Sequence, residues 1–203
     1  AYGPAATLTS YHAFVERQIT ASAYLQVLVD EKPYTEDDIS KYYDDNADSY
    51  AGNGIEKSDV KMVNVRHILI QPEGKNDDGT YTDEAWAEAE KKANDLLTEW
   101  QNGERTEDSF AFMAAENSQD PGSVENGGLY EDIYPGKMVD EFDAWCFDPA
   151  RQPGDTGIVK TSYGYHIMYF SSTGEHAYWY VRAEEDYLNE LSVSAVSYTH
   201  LRA

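Results

Sequence analysis

Apolar and polar positions divide the chain into helical ends and a mixed middle. From Leu8 to Val29, the residues Leu8, Tyr11, Val15, Ile19, Leu25 and Leu28 recur at helical spacing, and Lys32-Pro33 stops the run. Thr35 then stands as N-cap before Glu36, Asp37 and Asp38, where a helix N-terminus favours anions. Ile39, Tyr42 or Tyr43, Ala47 and Tyr50 supply that helix's apolar face, and Ala51-Gly52-Asn53-Gly54 breaks it. Val63-Asn64-Val65-Arg66-His67-Ile68-Leu69-Ile70 alternates and then fills with β-branched and aliphatic residues, as a strand buried on at least one face does. Asp83 to Gln101 is the clearest helix, with Trp86, Ala89, Ala93, Leu96, Leu97 and Trp100 along one side. Shorter helices are expected over Glu107–Asn117, burying Phe110, Met113 and Ala114, and over Val139–Phe147, carrying Phe142, Trp145 and Cys146. Gly157–Lys160 reads as a short strand, followed by a turn at Thr161–Gly164. Tyr163-Gly164-Tyr165-His166-Ile167-Met168-Tyr169-Phe170 reads as a second buried strand, and Ala177–Leu191 as a last helix.

This order predicts an α+β fold around a small antiparallel sheet. The two apolar strands each carry one histidine, His67 and His166, and pairing them would bring the imidazoles together. A single histidine in an apolar strand is ordinarily a satisfied core residue. Two on paired strands raise the question of chemistry.

Bulk properties narrow the answer. The chain has 203 residues, with 41% hydrophobic and 13% aromatic content, enough for one domain plus extra segments or for two small domains. A net charge of −23 argues against a nucleic-acid partner and favours solubility. One cysteine, Cys146, excludes an internal disulfide and cysteine-rich zinc sites. No run approaches the ~18 apolar residues needed to span a bilayer. Asn76-Asp77-Asp78-Gly79 suggests a calcium loop, but that register puts Gly74 and Ala85 where ligating carboxylates belong, so a solvated turn is expected.

Six stretches in order resemble the parvulin-type peptidyl-prolyl cis/trans isomerases over about Val60 to Ser171. They are Arg66-His67-Ile68-Leu69-Ile70; Phe110 through Asn117-Ser118-Gln119-Asp120; Gly127-Gly128-Leu129; Met138 with Phe142; Gly154-Asp155-Thr156-Gly157-Ile158-Val159; and Tyr163-Gly164-Tyr165-His166-Ile167. Tyr34 to Tyr43 is more loosely similar to the helical segment ahead of this domain in PrsA-type and SurA-type extracytoplasmic foldases. The resemblance implies a four-stranded antiparallel sheet packed with helices and flanked by N- and C-terminal helices. Expected boundaries are 1–57 for an N-terminal helical segment, 58–174 for the isomerase domain and 175–196 for a C-terminal helix. Residues 197–203 resemble translated adaptor sequence and are expected to be a non-native tail; His200 is set aside with them.

Rotation about a peptide bond costs ~18–20 kcal/mol because resonance is lost, and unaided prolyl isomerisation is slow enough to limit folding. A catalyst therefore needs an apolar socket for the pyrrolidine ring and polar groups that favour the twisted amide, but neither a metal nor a cofactor. By resemblance, Leu129, Met138 and Phe142 form the socket, with Tyr163 beside it where many parvulins carry a smaller residue. His67, Asp120, Thr161 and His166 form the polar side. The four-residue spacing of Met138 and Phe142 suits one helix face. Asp120, desolvated beside the socket, is expected to have a raised pKa, with its role open among base, hydrogen-bond partner and electrostatic lever.

Parvulins that prefer phosphorylated substrates carry a basic cluster after the first strand. Here that loop holds Lys75 against Glu73, Asp77 and Asp78, so the expected substrates are non-phosphorylated X-Pro bonds in unfolded or partly folded polypeptides. The resemblance implies an extracytoplasmic location, in the cell envelope or secreted, and allows a membrane anchor upstream of Ala1. The rival reading is a parvulin-fold chaperone with little or no turnover. A hydrolase using Cys146 or Ser123 with a histidine is disfavoured, because Cys146 falls within an apolar helical face beside Trp145.

Overall fold

The computed structural model describes residues 33–200 other than 75, 77 and 78, together with 12, 15 and 19. The helix expected over Leu8–Val29 therefore lies outside the described residues, except that His12, Val15 and Ile19 are helical. The described chain forms two compact units. One spans Asp59–Tyr178, and the other gathers the residues before Asp59 with those from Trp179 onward.

In the second of these, α1 (Glu36–Asp45) begins at Thr35 in a reciprocal cap. The Thr35 hydroxyl accepts the Asp38 N–H at 3.2 Å, and the Asp38 carboxylate accepts the Thr35 N–H at 2.8 Å. The helix breaks at Asn46, so the single helix expected here is two, α1 and α2 (Ala47–Gly52). Ile39, Tyr43 and Tyr50 bury against Tyr180 and Ala183 of the last helix, α6 (Tyr178–His200). The C-terminal helix is thus not a separate segment, and its backbone continues past Leu191 to His200. The hydroxyls of Tyr34 and Tyr50 donate to Glu184 and Asp186 at 2.8 and 3.0 Å, adding polar ties around the apolar contacts.

The Asp59–Tyr178 unit is built on four antiparallel strands in the order β2-β1-β4-β3. They are β1 (Lys61–Ile70), β2 (Leu129–Ile133), β3 (Thr156–Thr161) and β4 (Gly164–Ala177). As the pairing of the two histidine strands predicts, β1 lies along β4, with His67 opposite Met168 and Leu69 opposite His166. Alternation then sorts the side chains between the faces. Ile68, Ile70, Tyr165, Ile167 and Tyr169 pack under α3 (Asp83–Asn102) and α4 (Glu107–Asn117), meeting Ala89, Ala93, Trp100 and Phe110. Val63, Val65, Met168 and Phe170 face the short α5 (Asp140–Cys146), meeting Phe142 and Cys146. His67 and His166 share parity with this second set, which sends both imidazoles toward α5.

Candidate active site

Backbone pairing aims the loop after α4 at the first histidine. The Ser118 hydroxyl accepts the Leu69 N–H at 3.1 Å, the Gln119 N–H donates to the Leu69 carbonyl at 2.9 Å, and the Gln119 side chain accepts the Gln71 N–H at 2.7 Å. The far end of the loop is held by Arg66, whose Nη1 donates to the carbonyls of Asn126 and Gly127 at 3.0 Å each while its Nε donates to Glu107 at 2.8 Å. Gly128 then accepts the His67 N–H on its carbonyl at 2.8 Å. It has φ +75°, and a Cβ there would lie 2.2 Å from the His67 carbonyl oxygen, so only glycine fits.

Between these anchors the polar side chains connect in a line. The Nε2 of His67 lies 2.9 Å from Asp120 Oδ2, and its Nδ1 lies 3.0 Å from Nδ1 of His166. The Nε2 of His166 lies 2.9 Å from Thr161 Oγ1, which also accepts the Tyr163 N–H at 3.1 Å. Asp120 Oδ2 additionally accepts the hydroxyls of Ser123 at 2.6 Å and Tyr130 at 3.0 Å. An ionised carboxylate only accepts, which fixes every proton along the line when both imidazoles are neutral. His67 Nε2–H donates to Asp120, His166 Nδ1–H donates to His67 Nδ1, and the Thr161 hydroxyl donates to His166 Nε2. His67, His166, Thr161 and Ser123 are all buried, and each has a partner.

Electrostatics follow from this wiring. Asp120 is held well below the usual carboxylate range, chiefly by its bond from His67 and then against an opposing effect of burial, with Ser123 and Tyr130 adding to the depression. The expectation of a raised pKa is thereby overturned, because hydrogen bonds to the charged form outweigh desolvation. Burial, and next the neighbouring His67, push His166 down from 6.5 to about 4. Burial raises the Cys146 thiol to about 12, making it a poor nucleophile. Ser123, His67 and Asp120 lie close enough to resemble a hydrolase triad, with Ser123 Oγ 3.0 Å from His67 Nε2, but they are not wired as one. With Asp120 ionised, that same nitrogen carries the proton donated to the carboxylate and Ser123 donates to the same oxygen, so the imidazole has no lone pair there to take the hydroxyl proton.

Above the network lies a cavity of about 390 Å³, mostly apolar, lined by His67, Leu69, Gln71, Asp120, Pro121, Tyr130, Met138, Val139, Phe142, Tyr163 and His166. The structure thus gathers His67, Asp120, His166, Met138, Phe142 and Tyr163 around one space, with Thr161 behind His166. Leu129 is not in the lining. It pairs with Arg66 while Tyr130 pairs with Val65, so Tyr130, one residue on, shares the face of His67. Met138 and Phe142 do line one wall, but not as neighbours on a helix. Val139 is the N-cap of α5 with extended backbone (φ −65°, ψ 151°), and Met138 precedes the helix. Its placement comes from the preceding turn, where the Gly136 N–H donates to Asp143 of α5 at 2.8 Å. Tyr163 is 57% exposed at the rim. Ser123 and Tyr130 are partners of Asp120 that the sequence reading left out of the site.

The site is thus a buried His–His–Asp line under an apolar cavity, carried on a four-stranded antiparallel sheet. Residues 53–172 match the PPIC-type PPIASE domain, and the chain belongs to that family, the parvulin-type isomerases. Similar curated proteins include foldase protein PrsA 1 of Listeria innocua serovar 6a, 31% identical over 106 residues, or 52% of this chain and 29% of that one. Foldase protein PrsA of Geobacillus sp. strain WCH70 is 44% identical over 80 residues, 39% of this chain and 27% of that one. Chaperone SurA of Pseudomonas savastanoi pv. phaseolicola is 35% identical over 107 residues, 52% of this chain and 22% of that one. The match spans less than a third of each of these relatives.

Proposed function

We propose that the protein catalyses cis/trans isomerisation of non-phosphorylated X-Pro bonds in unfolded or partly folded extracytoplasmic polypeptides. The observation that carries this reading is the apolar cavity whose polar side is a fully satisfied line of imidazoles ending on an ionised carboxylate. The pyrrolidine ring sits against Met138 and Phe142. Apolar walls disfavour the charge-separated resonance form of the planar amide more than they disfavour the twisted amide. Asp120, ionised at every working pH, is neither an acid nor an effective base. It acts as a fixed negative charge that destabilises the electron-rich carbonyl oxygen of the planar state. No covalent bond to the enzyme forms, and no metal or cofactor takes part.

The test is NMR exchange on an Ala-Ala-Pro-Phe peptide. Met138→Ala is expected to lower kcat/KM at least tenfold with the fold intact, while the wild type clearly exceeds the uncatalysed rate. An unchanged kcat/KM in the variant would remove the socket from this cavity. Wild-type protein that suppresses client aggregation without accelerating exchange would establish the rival chaperone reading.

Substrate charge gives a second expectation. Glu73 is exposed in the loop after β1, and the loop's other charged residues, Lys75, Asp77 and Asp78, lie outside the described residues. A phosphoserine-proline peptide is expected to turn over more slowly than its unphosphorylated twin, because the loop's formal charge repels phosphate. Faster turnover of the phosphopeptide would overturn the substrate assignment.

A further inference from the structure

Tyr130 occupies a position that neither the socket nor the histidine line explains by itself. Its ring lines the cavity and stacks on His67 with centroids 5.3 Å apart. Its hydroxyl donates to Asp120 Oδ2 at 3.0 Å. That oxygen also receives Ser123 and His67, whereas among the described residues Oδ1 receives only the Gly122 N–H at 3.3 Å. The carboxylate is therefore pinned through one oxygen and leaves the other lightly engaged. Chain packing fits the hydroxyl closely. A Cβ added at Gly122 would lie 2.5 Å from Tyr130 Oη and 3.6 Å from each Asp120 oxygen. Glycine at this position is thus a space reserved for the tyrosine hydroxyl.

We propose that Tyr130 is a positioning residue for isomerisation: its hydroxyl, seated against Gly122, fixes the orientation of the Asp120 carboxylate beside the prolyl amide. This rests on the isomerase-site reading above. The tyrosine acts through Asp120. Removing its hydroxyl leaves the His67 and Ser123 bonds in place but takes away one of the three donors that fix Oδ2, so the carboxylate is held less tightly and its charge is less well placed relative to the carbonyl. Substrate binding to the apolar walls is retained while the stabilisation specific to the twisted state weakens. Burial first, and then the Asp120 bond, push the Tyr130 hydroxyl up to about 12, which keeps it a donor at all working pH values.

A kinetic double-mutant cycle separates this role from packing alone. Tyr130→Phe keeps the ring and removes the oxygen. It is expected to lower kcat about five- to tenfold with KM unchanged. Gly122→Ala places a methyl group where the hydroxyl sits and is expected to lower kcat by a similar factor. In the double variant the methyl no longer meets an oxygen, so its kcat matches that of Tyr130→Phe rather than falling further. Unchanged kcat in Tyr130→Phe, or losses that multiply in the double variant, would overturn the proposal. Met138→Ala measured alongside distinguishes the two levels. If it is impaired while Tyr130→Phe is not, the positioning role alone is wrong. If Met138→Ala is also unaffected, the site reading falls and the Tyr130 role with it.

Discussion

Replacing His67 by alanine is expected to lower stability and turnover together. The imidazole is 3% exposed and joins the two halves of the polar line. Its removal leaves His166 Nδ1–H without its acceptor and takes the strongest donor from the Asp120 carboxylate. A buried donor left without a partner costs about 1–3 kcal/mol, and a charged carboxylate that loses a hydrogen-bond donor costs more. The excised ring also leaves a void between Tyr130 and Phe142, which pack on it at 5.3 and 5.4 Å. Together these predict a loss of about 3 kcal/mol or more, and a fall in Tm of roughly 10 °C for a domain of this size. Thermal melting and peptide exchange on the same sample provide the check. Turnover abolished with Tm unchanged would make His67 a direct catalytic group rather than the floor of the site.

Much of this architecture was legible because it depends on long, strongly patterned segments. The alternation in β1 and β4 predicts that the histidines meet, and three donors or acceptors of the line, His67, His166 and Thr161, follow from those strands and the turn between β3 and β4. Short segments were harder to read. β2 has only five residues and follows two glycines at positive φ, Gly127 and Gly128, so its parity cannot be taken from alternation. One residue of slip exchanges Leu129 for Tyr130 in the cavity wall. Met138 fits a helical pattern in sequence, yet α5 starts at Asp140 behind a valine whose side chain makes no cap bond. The depressed pKa of Asp120 comes first from His67, and its further donors, Ser123 and Tyr130, reach it from a 3₁₀ turn and a strand edge that no local pattern connects. Periodicity reports which face a residue takes; it does not report which hydroxyl ends beside which carboxylate.

Acid should destabilise the domain before Asp120 titrates, and His166 is the cause. Its folded pKa is about 4 against 6.5 for a free histidine, so the folded state binds its proton less readily than the unfolded state does. The stabilisation is fully present above pH 6.5 and is lost progressively as pH falls toward 4, below which both states are protonated. The shift corresponds to a loss on the order of 3 kcal/mol across that window. Protonation also disturbs the line itself. An imidazolium at His166 donates from both nitrogens, so the Thr161 hydroxyl loses its acceptor and must turn away. Asp120, depressed by its donors, stays ionised throughout and adds its own loss only at lower pH. Urea denaturation at a series of pH values between 7.5 and 4.5 measures the slope. His166→Gln removes the titrating group and should flatten that slope while lowering stability at neutral pH. A wild-type stability that stays level down to pH 4.5, or a slope that survives in the glutamine variant, would mean that the acid sensitivity lies elsewhere.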